Sequence, residues 1–360
     1  MKNLAFYPYE DNTAFLLKWR EQIEKAGFNI IDFSDISKRQ LSNNEVDIVF
    51  LNWYEEIHSR NAIRACAQML KRMMKIHSLK SHGARIITVI HNRTPHENDH
   101  PKCTSTLRNY LLKASTYIVV LSDASKSILK KDLGRKAYNS IENRLKKLPL
   151  PNYINVYPDD NKAFSRETFN ISVDTPIFLA LGNLRPYKNI ELIFRLASTF
   201  YEKKLPSLFV IAGKPFSQEY GKELSAIADQ LPNVVFLDRY IPDEDISSLV
   251  SLSDAMVVPM NTNSSINSSE IILAFSFKKP VIAPSIPTAL EYPVEANFLY
   301  SYNSVNVHFE KLLEATLEAY EDILSQRHIK KGESLYLCVS KQNSEEVIFE
   351  HLKEILNVMQ

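Results

Sequence analysis

The strongest constraint on this chain is a rhythm: short apolar runs, each followed by a segment of helical period, repeat through almost its whole length. In the first half the runs are Leu4 to Tyr7, Asn29 to Ile31, Ile48 to Asn52, Arg85 to His91, Tyr117 to Leu121 and Lys147 to Leu148. In the second half they are Ile177 to Leu181, Leu208 to Ala212, Val234 to Leu237, Ala255 to Val258, Val281 to Ile282 and Asn297 to Leu299. Helical patterns lie between them, among others Thr13 to Lys25, Thr106 to Ala114, Ser122 to Leu133, Ile190 to Tyr201, Gln218 to Gln230, Asp243 to Val250 and Val305 to Leu324. Strands apolar on both faces must be covered on both, and the intervening helices supply the cover, so the pattern predicts parallel sheets. Leu148-Pro-Leu-Pro151 and a polar stretch to Arg166 separate the two sets. We expect two Rossmann-like α/β domains, at residues 1–155 and 165–335, and a terminal helix at 340–360. With 360 residues, 45% of them hydrophobic, the chain can fill two cores.

Scarcity of glycine removes several function classes. Seven glycines occur, and neither G-x-G-x-x-G nor G-x-x-x-x-G-K-[ST] is present, which argues against a dinucleotide dehydrogenase or a P-loop NTPase. Gly182 and Gly213 each follow a second-half strand, where the ligand crevices of parallel sheets lie. Cys66, Cys103 and Cys338 are too widely spaced for a disulfide framework or a zinc knuckle, which fits a reducing cytoplasm. The first residues lack the apolar run of a signal peptide, and no stretch of about 18 apolar residues occurs, so a cytoplasmic, non-spanning protein is expected.

Charge is divided unevenly. Residues 1–150 hold 25 Lys and Arg against 15 Asp and Glu, a net +10, while the rest is −9. Part of the excess lies between Arg60 and Arg85, where Arg64, Lys71, Arg72, Lys75 and Lys80 flank Met69, Leu70, Met73, Met74 and Ile76 at helical spacing. That pattern suits a helix resting on an anionic membrane surface, or a solvated face whose methionines pack inward. No nucleic-acid-binding motif accompanies the basic patches, so nucleic acid is not an expected partner.

Chemistry concentrates in two second-half segments. Phe178-Leu-Ala-Leu-Gly-Asn-Leu-Arg-Pro-Tyr-Lys188 is a strand entering a loop with two cations, and a helix follows near Asn189. Asn261-Thr-Asn-Ser-Ser-Ile-Asn-Ser-Ser269 is a polar loop that opens a helix at Glu270, ahead of Pro280-Val-Ile-Ala283. Hydroxyls and backbone N–H groups at a helix start attract anions, and Arg185 with Lys188 can close such a site from the other side. The combination reads as a diphosphate clamp.

These segments, with Leu249-x-x-x-Ser253-Asp254-Ala-Met-Val-Val-Pro259, resemble the carboxy-terminal half of GT-B nucleotide-sugar glycosyltransferases, especially glycosyltransferase family 4 and bacterial polysaccharide-assembly relatives. The resemblance covers about Phe178 to Pro284 and is vague over the first half. It implies two Rossmann-like domains facing across a cleft and retaining transfer of a sugar from a nucleoside diphosphate donor to a saccharide or lipid-linked acceptor. It implies no cofactor beyond the donor and no metal. Arg185 and Lys188 correspond to the cations that bind the donor diphosphate, and Asn267, Ser268 and Ser269 to a loop whose backbone meets it. Many members carry two glutamates eight positions apart before the Pro-Val-Ile strand; those positions here hold Ser265 and Leu273. Glu270, three residues before Leu273, shares that helical face and is the nearby acid able to reach a donor hydroxyl, or else it complements the helix dipole.

In the first half, Val89-Ile-His91-Asn92-Arg93-Thr-Pro-His96-Glu97 ends a strand of Ile and Val. His91 resembles the family histidine that touches the donor sugar, and it is also a position where a structural histidine would serve. His91, His96, Glu97, Asp99 and His100 lack H-E-x-x-H geometry, so a metal centre is not expected. Asp11 or Asn12 in the first loop, Tyr7 to Asn12, can cap the following helix or approach the diphosphate. Two other classes stay open: a catalytically silent donor-binding or partner-supporting protein, because Ser265 replaces a family glutamate, and a nucleotide-sugar epimerase of the same architecture.

Overall fold

The computed structural model describes residues 2–36, 45–95, 99–159 and 163–356. His96 and Glu97 lie outside them. By spatial contact the chain divides into one unit of Met1–Pro151, Asn263–Asn267 and Asn343–Gln360 and another of Asn152–Thr262 and Ser268–Gln342.

The first unit carries β1 (Lys2–Tyr7), α1 (Ala14–Lys25), β2 (Phe28–Asp32), β3 (Ile48–Asn52), α2 (Ala62–Ser81), β4 (Arg85–Ile90), α3 (Pro101–Ala114), β5 (Tyr117–Val120), α4 (Ala124–Asn139) and β6 (Leu145–Lys147). Its sheet is parallel throughout, in the order β2-β1-β3-β4-β5-β6. Every residue of β3 is buried, as expected of a central parallel strand with covered faces. On the α2 and α3 side, Val49, Leu51 and Ile86 pack with Ala65, Ile76, Leu79, Leu107 and Leu111. Gly134, at φ 74°, breaks α4; it accounts for the helical pattern stopping near Leu133.

The second unit carries β7 (Ile177–Leu181), α5 (Ile190–Glu202), β8 (Leu208–Ala212), α6 (Gln218–Ala228), β9 (Val234–Leu237), α7 (Asp243–Leu252), β10 (Ala255–Val257), α8 (Ser269–Ser276), β11 (Val281–Pro284), α9 (Pro287–Leu290), β12 (Phe298–Tyr300), α10 (Val305–Leu324) and α11 (Arg327–Gln342). Its parallel sheet runs β12-β11-β10-β7-β8-β9. Ile190, Ile193, Phe194, Ala197 and Phe200 recur at helical spacing on α5 and are buried, and Phe200 meets Phe209 of β8 edge-on at 5.4 Å.

The last helix, α12 (Glu345–Leu356), belongs to the first unit. Glu345 accepts from Lys18 and Gln22 of α1, and Arg85 of β4 donates to the Leu356 carbonyl at 2.7 Å. Cys66 and Cys103, separated by 37 residues, meet with their sulfurs 3.4 Å apart, because α2 and α3 bring them together; both are free thiols.

Candidate active site

In doubly wound sheets the crevice forms where strand order reverses, beyond the carboxyl ends of the two strands concerned. In the second unit that point lies between β7 and β10, and the residues around it form a pocket. Ala180, Leu181, Val257 and Val258 line it with apolar surface, while Lys188 and Glu270 contribute charge.

Local geometry explains how the loop after β7 presents its cations. Gly182 leaves the strand at φ 125°, and a Cβ there would lie 2.7 Å from Glu270 Oε1 and 3.1 Å from Lys188 Nζ. Gly213, ending β8 at φ 152°, is more restricted: its Cβ would fall 1.8 Å from the Gly182 oxygen. Leu184 is then held by 214–216, its N–H donating to the Lys214 carbonyl and its own carbonyl accepting from Phe216, both at 2.9 Å. This places the Arg185 guanidinium 5.3 Å from the Phe216 ring centroid, a cation–π distance. A short 3₁₀ turn, Pro186–Lys188, follows and ends at Asn189 in the left-handed region, φ 52°. The Asn189 amide donates to the Pro259 carbonyl at 2.7 Å, and the Asn261 N–H donates to the Tyr187 carbonyl at 2.8 Å. The loops leaving β7 and β10 are thereby stitched together around the pocket.

Lys188 is buried, and its ammonium donates to Glu270 Oε1. Burial pulls the ammonium pKa down, but the Glu270 carboxylate more than offsets it, so the net direction is upward and Lys188 stays charged. Sequence reasoning placed Glu270 on a face turned to a donor hydroxyl; the structure also makes it the partner of Lys188. The helix start is less open than the sequence suggested. Ser268 precedes α8 in extended conformation without a side-chain cap, its N–H donates to Thr288 Oγ1 at 3.2 Å, and its buried hydroxyl lacks a partner among the described residues. Ser269, which opens α8, is hydrogen-bonded to Tyr153. Asn267 belongs to the first unit, where its amide donates to the His91 carbonyl at 2.8 Å.

The first unit has its own constellation at its strand-order reversal, between β1 and β3. Asn52, ending β3, donates through Nδ2 to the Tyr7 carbonyl at 2.9 Å. A carbonyl can only accept, so Asn52 Oδ1 faces His91 Nε2, 2.9 Å away, and that nitrogen carries the proton. The His91 ring stacks on Trp53 at 4.1 Å, with Phe15 and Trp19 farther out. Burial pushes its pKa down to about 3, so the imidazole is neutral. Trp53 adopts φ 53°, unusual for a bulky residue. Asn92 pairs with Ser265 in an antiparallel bridge, and Arg93 forms a double hydrogen bond with Asp132. Ser265 is buried and its hydroxyl has no partner among the described residues, so no carboxylate stands in its place. In the first loop, Asp11 accepts from the Thr13 N–H at 2.9 Å at the start of α1. Among the described residues no three His, Cys, Asp or Glu side chains gather as a metal site. Asn52, Trp53, Phe216 and Thr288 escaped the sequence reading; their only signal there is a position just past a strand or inside a loop.

The α2 cations also turned out differently from expectation. Arg72 donates to the carbonyls of Tyr54 and Glu56, Lys75 to Phe33 and Lys80 to Ala114, so three of the five serve the fold. Lys71 and Arg64 remain exposed, on a helix that also exposes Ile63, Leu70 and Met74. No described helix is long and apolar enough to cross a membrane.

Comparison with known proteins agrees with this geometry. Residues 161–334 match the family described as Glycosyl transferases group 1. By sequence, no curated protein matches the chain. Among solved structures it is similar to Anabaena Alr3699/HepE in complex with UDP-glucose, at 14% identity and TM-score 0.72 with all of both chains covered. It is also similar to a glycosyltransferase from Rickettsia africae ESF-5, at 16% identity and TM-score 0.63, covering 98% of this chain and 97% of that one. WaaG, a glycosyltransferase involved in lipopolysaccharide biosynthesis, matches at 14% identity and TM-score 0.62 over 99% of each chain. The chain therefore has the GT-B fold, two units each built on a six-stranded parallel sheet, and its residues 161–334 match the group 1 glycosyl transferase family.

Proposed function

We propose that this protein is a retaining, metal-independent glycosyltransferase that moves a hexose-type sugar from a nucleoside diphosphate donor to a saccharide or lipid-linked acceptor, in assembly of cell-surface polysaccharide or glycoconjugate. The observation that carries the reading is the buried Lys188 ammonium in a pocket at the β7/β10 reversal, with Arg185 on the same loop. Breaking a sugar–phosphate bond develops negative charge on the departing diphosphate, and fixed cations in a low-dielectric pocket stabilise that charge. Arg185 and Lys188 supply the cations, and the Ser268 hydroxyl, which has no partner among the described residues, completes the anion site. Glu270 holds Lys188 in place and offers its other oxygen to a hydroxyl of the donor. His91, neutral near pH 7, acts as a hydrogen-bonding contact to the sugar and not as an acid. The solved relatives support the donor class, since HepE binds UDP-glucose, and the pathway class, since WaaG acts in lipopolysaccharide biosynthesis. We place the protein in the cytoplasm, with exposed Ile63, Leu70 and Met74 and the Arg64 and Lys71 charges of α2 lying on an anionic membrane surface.

Thermal-shift titration with UDP-, GDP- and dTDP-sugars tests the donor site. One nucleotide class should raise the melting temperature of the wild type and not of Arg185→Ala; no shift with any donor would remove the nucleotide-sugar assignment. Binding without transfer would leave a silent module, and free epimerised donor an epimerase.

A further inference from the structure

We propose that Cys66 and Cys103 form a reversible intramolecular disulfide, a redox-modification site at the seam of α2 and α3 that takes hydroperoxides as its oxidant. The two sulfurs are 3.4 Å apart in the reduced protein, so bonding needs a closure of about 1.4 Å to reach the usual S–S length near 2.0 Å. Two helices of one unit hold them there.

Access separates the two thiols into roles. Cys66 is exposed on α2, whereas Cys103 is half-buried in the first turn of α3. Neither helix has an acid in its first turn. The hydrogen bond with Cys66, followed by burial, raises the Cys103 thiol pKa. Cys66 is accordingly the thiol that meets the oxidant and Cys103 the one that resolves it. The Cys66 thiolate attacks the peroxide, the O–O bond breaks, and Cys66 becomes a sulfenic acid as the peroxide leaves as alcohol or water. The Cys103 thiolate then attacks the Cys66 sulfur and expels hydroxide, which leaves as water after taking a proton. Two thiols lose two electrons and two protons, and one peroxide is reduced. A small dithiol reverses the bond by exchange. Cys338, the third thiol, has no part in the pair.

The experiment is peptide mapping without reduction after exposing the folded protein to hydrogen peroxide, for the wild type and for Cys66→Ser, Cys103→Ser and Cys338→Ser. The expected result is a Cys66–Cys103 linked peptide in the wild type and in Cys338→Ser, an intact mass lower by two hydrogens, and full reversal by dithiothreitol. In Cys103→Ser, dimedone should capture Cys66 as the stranded sulfenic acid; Cys103→Ala repeats the measurement should the serine disturb the helix start. Dimedone capture or sulfinic oxidation of Cys66 in the wild type without the linked peptide would overturn the proposal. So would links only between separate chains, or oxidation of Cys338 while Cys66 and Cys103 stay reduced.

Discussion

Lys188 and Arg185 sit three residues apart on one loop, yet their surroundings assign them different consequences. Arg185 rests beside the half-exposed Phe216, so Arg185→Ala should cost donor affinity about 1.5 to 3 kcal/mol, the loss of a charge-assisted hydrogen bond, with little change in melting temperature. Lys188→Ala also strands the Glu270 carboxylate in a pocket, and breaking a buried pair costs about 3 to 5 kcal/mol of stability. Adding Glu270→Gln to Lys188→Ala should restore much of the melting temperature and none of the donor binding, which calorimetry and donor titration read separately. His91 adds a pH dependence. Its folded pKa, about 3, lies below the ordinary value of 6.5, so the unfolded chain binds the extra proton between those values and stability falls as pH drops through that window. At pH 5 that single group costs about 2 kcal/mol relative to pH 7, by linkage at 1.4 kcal/mol per pH unit. His308, buried and lowered to about 4, acts in the same direction. Denaturant melts of His91→Gln should show a shallower loss of stability between pH 7 and 5 than the wild type; parallel curves would contradict the buried neutral imidazole. At this scale the two cations were legible because charge after an apolar strand is conspicuous. The Lys188–Glu270 pairing, 82 residues apart, and the left-handed Trp53 were not, since both depend on how the chain closes.

At the scale of elements, strands were the most legible part of the chain. β7 and β8 are apolar along their whole length, and β3 up to its last residue, Asn52, because parallel strands are covered on both faces, and such runs announce themselves. α11 did not: Lys330, Lys331 and Glu333 dilute its pattern, and its buried face is only Gly332, Leu335 and Val339. Gly332 is required there, as a Cβ would fall 1.8 Å from the Lys278 oxygen. α2 was legible as a helix and misleading as a surface, since the sequence shows five cations but not which reach back to carbonyls. Its prediction changes accordingly. Arg64→Glu with Lys71→Glu should weaken flotation on anionic vesicles, each nearby cation contributing about 1 kcal/mol, and should leave donor affinity alone. Arg72→Glu and Lys75→Glu should instead lower the melting temperature, because they remove hydrogen bonds to Tyr54, Glu56 and Phe33. Equal flotation of wild type and the Arg64/Lys71 variant would assign α2 to a solvated face.

For the whole molecule, the alternation of strand and helix was enough to expect two parallel α/β units, and the structure has them with six strands each. What the alternation could not convey is that a short stretch, Asn263–Asn267, and the last helix return to the first unit, because neither breaks the local pattern. The proposed chemistry uses cations in place of a metal, so on that proposal EDTA should leave sugar transfer essentially unchanged; loss restored by manganese or magnesium would refute that part of the mechanism. The most direct test of the central claim is transfer of radiolabelled sugar, from whichever nucleoside diphosphate donor shifts the melting temperature, to acceptor in membrane extract. The account expects label in an acceptor fraction with wild type, reduced at least tenfold in Arg185→Ala, a factor that corresponds to about 1.4 kcal/mol. Donor bound tightly by the wild type with no label transferred, across extracts rich in saccharide and lipid-linked acceptors, would contradict it.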